Sequence, residues 1–316
     1  MAFSDELREL AARVSNWGRW GDDDQLGCGN FLTPESARRG AACVRSGERV
    51  SLALPLRADG VQVGQPAGRY NPILTFTSLN ERDRFAPGIW EGTDDLVTMS
   101  TAAGTHIDCL SHMGYEDQLY GGRSQSGSVR AGTGATWCGA EQLPAVATRG
   151  ILLDIPAALG VDRLDAGHAV TADQLDAALS ATGLIVESGD VMCIRTGDVQ
   201  WYLEGDRQRY AVGQDWLVTG IGVGCIEWFH RREVAGVFCD TYAYEVMPPE
   251  SGNWDDLCAV HMIQLRDMGL LQGQNWNFET LAERCSADGH ADFLLVAVPE
   301  PIVGATSAPV APVALR

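Results

Sequence analysis

The sequence predicts an α/β protein with a mixed sheet and flanking helices. Segments rich in Val, Ile, Thr and Leu, typical of strands, come early in the chain, whereas strand-like and helix-like segments alternate later. The chain has 316 residues, 45% of them hydrophobic, which is enough to bury a substantial core. No apolar run approaches the roughly 18 residues that a membrane-spanning helix needs.

The N-terminal part carries helix signals on either side of an irregular segment. Ser4 is a suitable N-cap for a first helix, and Thr33 followed by a proline is a suitable start for a second. Between them, Trp17–Gly29 is too rich in Gly and Asp for a regular element, so we expect its two tryptophans to attach it to the body or to a second subunit. Residues 1–48 are therefore predicted to form a helical arm packed on the body, and residues 49–316 a single domain.

The other elements follow from periodicity and from the residues that bound each segment. Helices are predicted at Ser4–Val14, Pro34–Ser46, Thr171–Ala181, Cys225–Arg232, Ala259–Met268 and Phe278–Cys285. Strands are predicted at Arg49–Leu54, Ile73–Ser78, Leu96–Thr101, Gly150–Asp154, Asp190–Thr196, Val237–Asp240 and Phe293–Val298.

Three connecting segments are predicted to be irregular. The loop between Asn80 and Asp95, with Phe85, Pro87 and Trp90, could form a lid over a site or pack on the surface. Gly121–Gly134 reads as a flexible loop because it is rich in Gly, Ser and Arg. The tail beyond residue 299 is expected to lie extended against the surface.

Charge and cysteine usage restrict the class of protein. A formal net charge of −19 argues against a nucleic-acid partner, because phosphate binding needs a basic face. The nine cysteines are scattered and odd in number, and several stand in apolar runs where cysteine acts as a small buried hydrophobe. Since the N-terminus lacks the apolar core of a signal peptide, we expect reduced thiols in a cytoplasm.

The stretch LVTMSTAAGTHIDCLSHMGYEDQLYGG, Leu96–Gly122, concentrates residues that can perform chemistry. His106 and Asp108 are two apart, so on a strand they project from one face, and His112 can return to the same pocket after a turn. A neutral imidazole beside a carboxylate suits a divalent ion such as Zn or Mn, and a further imidazole can move protons. The alternative is that His106 and Asp108 merely pair with each other while His112 caps a helix.

Other patterns indicate different chemistry. Cys109 or Ser111 could act as a nucleophile activated by a histidine, but on a strand both would point away from the face of His106. The GIGVG segment, Gly220–Gly224, could suggest a dinucleotide site, although the third glycine of that fingerprint is absent. Asp240, at the end of a predicted buried strand, could support a metal ligand or cap the strand end.

The GTHxDxxxH motif, preceded by a strand and followed by an aromatic and glycine-rich loop, resembles the cyclase family of metal-dependent hydrolases. That family includes bacterial kynurenine formamidase and isatin hydrolase. The similarity extends to SNWGRWGDDDQLGCGNFLTPE near the N-terminus and to GLLQGQNWNFETLAE after His261, so it covers nearly the whole chain. It implies a swivelling β/β/α architecture.

The chain departs from the family pattern at three positions. Ala102 stands where the family's best-studied members carry a further histidine ligand, four residues before the motif histidine. Gln272 is the best match to their glutamate ligand, and Leu110 replaces a proline. Because two strong ligands are lost, we expect one divalent ion, Zn or Mn, rather than two.

The resemblance implies a metal-dependent hydrolase that opens an amide, cyclic amide, imide or lactone bond of a small substrate, which could be aromatic. His106 and Asp108 would hold the metal, with His261 and Gln272 as further ligands, and water activated by the metal would be the nucleophile. His112 would be the general base and would then protonate the leaving group. The implied partners are a small-molecule substrate and further copies of the chain, as a homodimer or higher homo-oligomer. The alternative is a non-hydrolytic biosynthetic cyclase or a metal-poor relative that only binds a ligand.

Overall fold

The computed structural model describes residues 3–81 and 91–316. Within these residues no helix is both long and apolar enough to cross a membrane. Phe85, Pro87 and Trp90, the residues on which the lid expectation depended, lie outside the described part of the chain.

The chain forms fifteen strands within its described residues, nine of which build one curled sheet. In chain order the strands are β1 (Arg49–Ser51), β2 (Ile73–Glu81), β3 (Gly92–Thr98), β4 (His106–Asp108), β5 (Val129–Arg130), β6 (Gly134–Ala135), β7 (Val146–Asp154), β8 (Ala169–Val170), β9 (Val191–Arg195), β10 (Gly220–Ile221), β11 (Gly236–Cys239), β12 (Leu271–Gln274), β13 (Asp292–Ala297), β14 (Ser307–Pro309) and β15 (Val313–Leu315). The large sheet has the order β1-β15-β13-β7-β9-β11-β12-β4-β14.

The large sheet is mixed, as the sequence predicts. Strands β7, β9, β11 and β12 run parallel, and the strands outside this group pair antiparallel to their neighbours. Strands β9 and β11, in the middle of this group, are buried along their length, which agrees with their largely apolar sequences. The prediction of an α/β fold with a mixed sheet and flanking helices is therefore confirmed.

Ten α-helices lie around the sheets in the described residues. They are α1 (Asp5–Val14), α2 (Pro34–Ala42), α3 (Gln125–Ser128), α4 (Ile155–Leu159), α5 (Ala172–Thr182), α6 (Val199–Leu203), α7 (Arg207–Val212), α8 (Cys225–Arg231), α9 (Ala259–Met262) and α10 (Glu279–Asp288). A π-helical segment, Ile263–Met268, follows α9, and short 3-10 turns occupy Gly27–Phe31, Tyr120–Gly122, Ala140–Gln142 and Trp254–Asp256.

The predicted helix starts are confirmed by their capping bonds. The Ser4 side chain accepts from the Leu7 amide at the start of α1, and Thr33 forms a capping box at the start of α2. The second helix ends at Ala42, however, so its predicted extension to Ser46 is wrong. The apolar face of α1, with Leu7 and Leu10 buried, packs into the main core.

Two further predictions are corrected. The tail beyond residue 299 is exposed mainly at its start, at Ile302 and Val303, because its later part contributes β14 and β15 to the large sheet and Ala308 and Ala314 are fully buried. The Gly121–Gly134 segment is not one irregular loop, since it contains α3 and β5. The tail folds by pairing with strands far away in sequence, which local composition does not reveal, whereas β5 pairs with the nearby β6.

Strands β2 and β3 form a separate two-stranded antiparallel sheet. Both strands are longer at the distal end than predicted, since β2 reaches Glu81 and β3 begins at Gly92. The chain returns from this hairpin directly into the turn that precedes β4. The hairpin and the motif strand are therefore joined by a short segment, residues 99–105.

Candidate functional site

The motif strand lies inside the large sheet, between β12 and β14. Its pairing with β12 sets Gln272 opposite Asp108 and Gln274 opposite His106. Paired residues of an antiparallel ladder share a face, and residues two apart on one strand do as well. The register therefore collects four polar side chains on one face, while Ile107 points to the other face and joins the main core.

The GT half of the motif fixes the turn that leads into β4. The Thr105 hydroxyl donates to the Asn275 carbonyl at 2.6 Å and accepts from the Leu54 amide at 2.8 Å. The Gly104 carbonyl receives the Asn275 side-chain amide at 3.3 Å. Because these bonds join three separate segments, the position of His106 is set by the fold around it.

His106 presents one ring nitrogen to the site. Its Nδ1 lies 2.8 Å from the Gly104 carbonyl oxygen, which can only accept, so Nδ1 carries the proton and Nε2 has a free lone pair. Burial lowers the pKa of His106 to about 4, which keeps the imidazole neutral at neutral pH. A neutral imidazole with an open Nε2 is the form that binds a metal ion.

Asp108 offers one carboxylate oxygen to the same point. Its Oδ1 lies 3.6 Å from His106 Nε2 and 3.8 Å from His112 Nε2. Both His106 Nε2 and Asp108 Oδ1 are buried and have no hydrogen-bond partner among the described residues. Burial opposes ionisation of Asp108, but electrostatic interactions with His112, His106 and His261 outweigh burial and hold the pKa of Asp108 below its ordinary value.

These orphaned donor atoms test whether a metal ion would fit. Two unpaired, buried donors of the N and O type suit one divalent ion. Within residues 3–81 and 91–316, no three His, Cys, Asp or Glu side chains form a group that could hold a metal. The protein donors therefore fit a single ion with an incomplete protein ligand set, and the remaining positions would belong to water or substrate.

His112 lies at the turn after the strand. Its amide donates to the Cys109 carbonyl at 2.8 Å, which closes the turn and returns the imidazole toward Asp108. Its side chain is 19% exposed, whereas those of His106 and Asp108 are fully buried. Burial lowers the pKa of His112. The two motif histidines therefore differ in access to solvent, as expected if they differ in role.

His261 reaches the site from α9. Glu245 accepts from the backbone amides of Val260 and His261 at 3.1 and 2.9 Å, and its Oε1 lies 2.5 Å from His261 Nδ1. Nδ1 therefore carries the proton and Nε2 faces Gln274 Nε2 at 3.1 Å. The same Gln274 nitrogen donates to Asp108 Oδ2 at 2.6 Å. The side-chain amide of Gln274 thus lies between His261 and Asp108 and contacts both.

Gln272, expected as a ligand, shares the face but makes another contact. Its Nε2 donates to Gln264 Oε1 at 2.8 Å, and its Oε1 is buried without a hydrogen-bond partner among the described residues. Gln264 belongs to the π-helical segment, a type of irregularity that is frequent at functional sites. Gln274, which the sequence analysis did not select, makes the contact with Asp108. Its spacing of two from Gln272 on a strand was the available signal.

Cys109 and Ser111 are not part of the strand face that carries His106 and Asp108. Cys109 is fully buried, and burial raises the pKa of its thiol far above the ordinary value. The Ser111 hydroxyl donates to the Cys138 carbonyl at 2.8 Å. Neither side chain is placed to be activated by His112.

A loop that the sequence analysis did not select covers the turn before β4. Gln62 donates to the Ala102 carbonyl at 2.9 Å and accepts from the Tyr242 hydroxyl at 2.7 Å. Arg69, on the same loop, is half-buried, and its guanidinium group has no hydrogen bond or ion pair with any described residue. Burial is the main influence on the pKa of His106 and His112, and the Arg69 charge further lowers both. An unpaired guanidinium therefore stands beside the site.

The features to compare with known proteins are the curled mixed sheet and the buried His–Asp pair beside a more accessible histidine. The "Putative cyclase" family model matches residues 50–246, which is more than half of the chain. A solved structure described as a novel cyclase is 32% identical, with 97% of this chain and 99% of that chain covered and a TM-score of 0.86. The chain belongs to the cyclase family.

Two more distant structures share the fold. Isatin hydrolase A from Labrenzia aggregata is 18% identical over 87% of this chain and 94% of that chain, with a TM-score of 0.61. An isatin hydrolase bound to the product analogue thioisatinate is 17% identical over 90% of this chain and 99% of that chain, with a TM-score of 0.59. No curated protein sequence matches this chain.

Proposed function

We propose that the protein is a hydrolase that opens an amide, cyclic amide or lactone bond of a small substrate with the help of one divalent cation. The observation that carries this proposal is the pair of orphaned atoms, His106 Nε2 and Asp108 Oδ1, which lie 3.6 Å apart in a buried site. Membership of the cyclase family supports it. Two structures with this fold are named isatin hydrolases, so a cyclic amide is the first substrate class to test.

His106 and Asp108 would hold the cation, with Gln272 Oε1 and His261 as the further donors expected from the sequence. A divalent ion supplies Lewis acidity, which lowers the pKa of a water molecule and polarises a carbonyl group. The chain's own contribution is to keep His106 neutral and correctly tautomeric through Gly104, and to orient Asp108 through Gln274.

His112 carries the protons in this proposal. Its Nε2 is close enough to Asp108 that the imidazolium formed after proton uptake is stabilised by the carboxylate. It is also the more accessible of the two motif histidines, so it can exchange protons with substrate and solvent. The positive charge of Arg69 is close enough to lower the pKa of both motif histidines, and it would hold the carboxylate that hydrolysis creates or the polarised carbonyl oxygen.

Metal removal tests this function. A cyclic amide, an N-formyl arylamine and a lactone would be assayed with the purified protein before and after chelation. We expect chelation to abolish hydrolysis and added Mn or Zn to restore it, whereas thiol alkylation should have little effect because Cys109 is buried. Full activity of the metal-free protein would exclude the metal-dependent mechanism.

One observation favours a second candidate, a relative that binds a ligand without hydrolysing it. Gln274 occupies both Asp108 Oδ2 and His261 Nε2, so these atoms are already paired without a metal. Metal analysis of the purified protein separates the two candidates. About one ion per chain together with hydrolysis supports the enzyme, whereas no bound metal and stoichiometric binding of an intact ligand support the binding protein.

A further inference from the structure

Gln274 ends β12, and the two residues that follow it also hold parts of the motif. Gln274 donates to the Asp108 carboxylate, and the indole nitrogen of Trp276 donates to the His106 carbonyl oxygen at 3.4 Å. Asn275, between them, contacts the turn that leads into the motif strand. No group of Asn275 is a ligand or a proton carrier in the proposed reaction, so its contacts need a separate explanation.

Asn275 is fully buried in a sparsely populated backbone conformation, with a φ of 58°. Asn is one of the few residues besides glycine that adopt this left-handed conformation. Its amide donates to the Thr241 carbonyl at 3.0 Å, and its carbonyl accepts from the Thr105 hydroxyl at 2.6 Å. Its side chain bonds to Tyr210 and to Gly104. Residues held in such conformations by their surroundings cluster at functional sites.

Two neighbours fix the orientation of the Asn275 side chain. The Gly104 carbonyl can only accept, so Nδ2 faces it at 3.3 Å, and Oδ1 is left to accept from the Tyr210 hydroxyl at 2.9 Å. The Tyr210 hydroxyl also lies 3.1 Å from the Asp240 carbonyl oxygen. Burial raises the pKa of Tyr210, so the hydroxyl keeps the proton that it donates. Rotation of the amide group would therefore break both of its side-chain bonds.

The Gly104 carbonyl oxygen is a shared acceptor. It has two lone pairs, and it lies 2.8 Å from His106 Nδ1 and 3.3 Å from Asn275 Nδ2. Because Gly104 has no side chain, its backbone is easier to turn than that of other residues. The Asn275 amide opposes such a turn, since it would lose its acceptor.

Two acceptors compete for the single proton of the neutral His106 ring. The Gly104 carbonyl favours the proton on Nδ1. Asp108 Oδ1, 3.6 Å from Nε2, would favour it on Nε2 if the ring moved closer, because a carboxylate accepts more strongly than a neutral carbonyl. Only the tautomer with the proton on Nδ1 leaves a lone pair on Nε2. The position of the Gly104 carbonyl therefore decides whether His106 can act as a donor atom.

We propose that Asn275 is a positioning residue for His106. Its side-chain amide, held by Tyr210, keeps the Gly104 carbonyl directed at His106 Nδ1 and so reserves the Nε2 lone pair for the site. That this lone pair serves a divalent cation rests on the proposed function, whereas the tautomer of His106 can be measured without any metal.

Asn275→Gly tests the proposal, because glycine adopts the left-handed backbone and keeps both backbone bonds while the side-chain amide is removed. Nitrogen NMR of isotope-labelled imidazoles in the chelated full-length protein reports the tautomer, and the His106 signals are those missing in His106→Ala. We expect the proton on Nδ1 in the unmodified protein and a shift toward Nε2 in Asn275→Gly. Titration with Mn or Zn should show affinity lower by about ten- to a hundredfold, the usual effect of losing a group that orients a ligand.

A matched control and a second variant accompany this test. Asn80→Gly makes the same substitution at another left-handed residue, with a φ of 51° and an exposed side chain on β2, and should leave tautomer and metal affinity unchanged. Tyr210→Phe removes only the hydroxyl that holds the amide, and we expect a smaller change in the same direction as in Asn275→Gly. It decides the question if Asn275→Gly does not fold.

The proposal is overturned if the unmodified protein carries the His106 proton on Nε2. It is also overturned if the folded variants keep the tautomer and metal affinity of the unmodified protein and lose only stability in urea, because Asn275 would then have a structural role alone. If no form of the protein binds Mn or Zn, the proposed function fails, and the tautomer in the metal-free variants still decides whether Asn275 positions His106.

Discussion

The side-chain amide nitrogen of Gln274 lies 2.6 Å from Oδ2 of Asp108 and holds that carboxylate in place. The same nitrogen lies 3.1 Å from Nε2 of His261, so one amide group satisfies two residues that the sequence analysis assigned to the metal. Asp108 keeps its other oxygen free toward His106 and His112. The Asp108 carboxylate is therefore held in place through Oδ2, while Oδ1 has no hydrogen-bond partner among the described residues.

Replacing Gln274 tests this support. In Gln274→Met, Asp108 Oδ2 loses its donor in a buried site, and we expect the metal-free protein to lose about 1–3 kcal/mol of unfolding free energy. In Gln272→Met, a buried carbonyl without a partner is removed together with one hydrogen bond to Gln264, so we expect a smaller loss. Urea unfolding in the presence of chelator measures both.

The same pair of variants tests the expected ligand role of Gln272. If its Oε1 contributes to the cation, Gln272→Met should weaken Mn or Zn binding measured by titration, even though the apoprotein stays stable. Unchanged metal affinity in Gln272→Met would exclude Gln272 as a ligand. Equal destabilisation of the apoprotein by the two substitutions would show that the hydrogen bond from Gln274 to Asp108 contributes no more stability than the one from Gln272 to Gln264.

The two motif histidines should differ when each is replaced by alanine. His106→Ala removes a buried donor atom and should lose metal and activity together. His112→Ala should retain its metal and its fold but lose turnover by on the order of a hundredfold or more, as expected for a general base. Metal content and turnover are measured on the same samples. Loss of metal in His112→Ala as complete as in His106→Ala would make His112 a ligand.

We expect one ion rather than two because Ala102 provides no metal donor at the position four residues before His106. Ala102 is buried, 4% exposed, and its carbonyl accepts from Gln62 in the turn that precedes β4. Ala102→His should raise the metal stoichiometry or affinity, because it adds a neutral nitrogen donor four residues before His106. The larger side chain should cost about 1–3 kcal/mol through overpacking. Two tightly bound ions in the unmodified protein would show that other residues supply ligands.

The sequence predicted the features that depend only on neighbouring residues, namely the helix caps and the strand face of the motif. The caps at Ser4, Thr33 and Thr171 are hydrogen-bonded as expected, since a capping residue acts on amides two or three positions away. The strand face shared by His106 and Asp108 follows from a period of two, and it holds in the structure.

The errors concern features set by distant partners. The C-terminal tail looked like surface because of its Ala and Pro content, yet Ser307 pairs with Asp108 in the sheet. The contact of Gln274 with Asp108 depends on the pairing of β12 with β4, which the spacing of the two glutamines along the chain does not specify. Glu245 lies sixteen positions before His261, and nothing in its sequence neighbourhood signals that it would orient this imidazole. In each case the position of the residue depends on contacts with residues that are distant in sequence.

A last prediction concerns Asp240, which the structure places at the end of β11. Its carboxylate accepts from the Thr196 amide at 2.8 Å, the Thr196 hydroxyl at 2.7 Å and the Gly197 amide at 2.8 Å, so it joins the ends of two parallel strands. Burial nevertheless raises its pKa to about 6. Burial and the neighbouring Asp240 also raise the pKa of Asp198.

The folded protein therefore binds the Asp240 proton more tightly than the unfolded chain, in which the pKa is about 3.9. The stability that this group contributes is fully present below about pH 4 and is lost as the pH rises through about 6. Asp240→Asn cannot titrate, so it should be less stable than the unmodified protein at pH 4.5, and this difference should shrink toward pH 7.5. Urea unfolding across this range measures the difference. Asp288→Asn is the control of opposite sign, because backbone hydrogen bonding to His290 lowers the Asp288 pKa, and its difference should not shrink as the pH rises. A constant difference for Asp240→Asn across the range would show that Asp240 ionises in the folded state as it does in the unfolded chain.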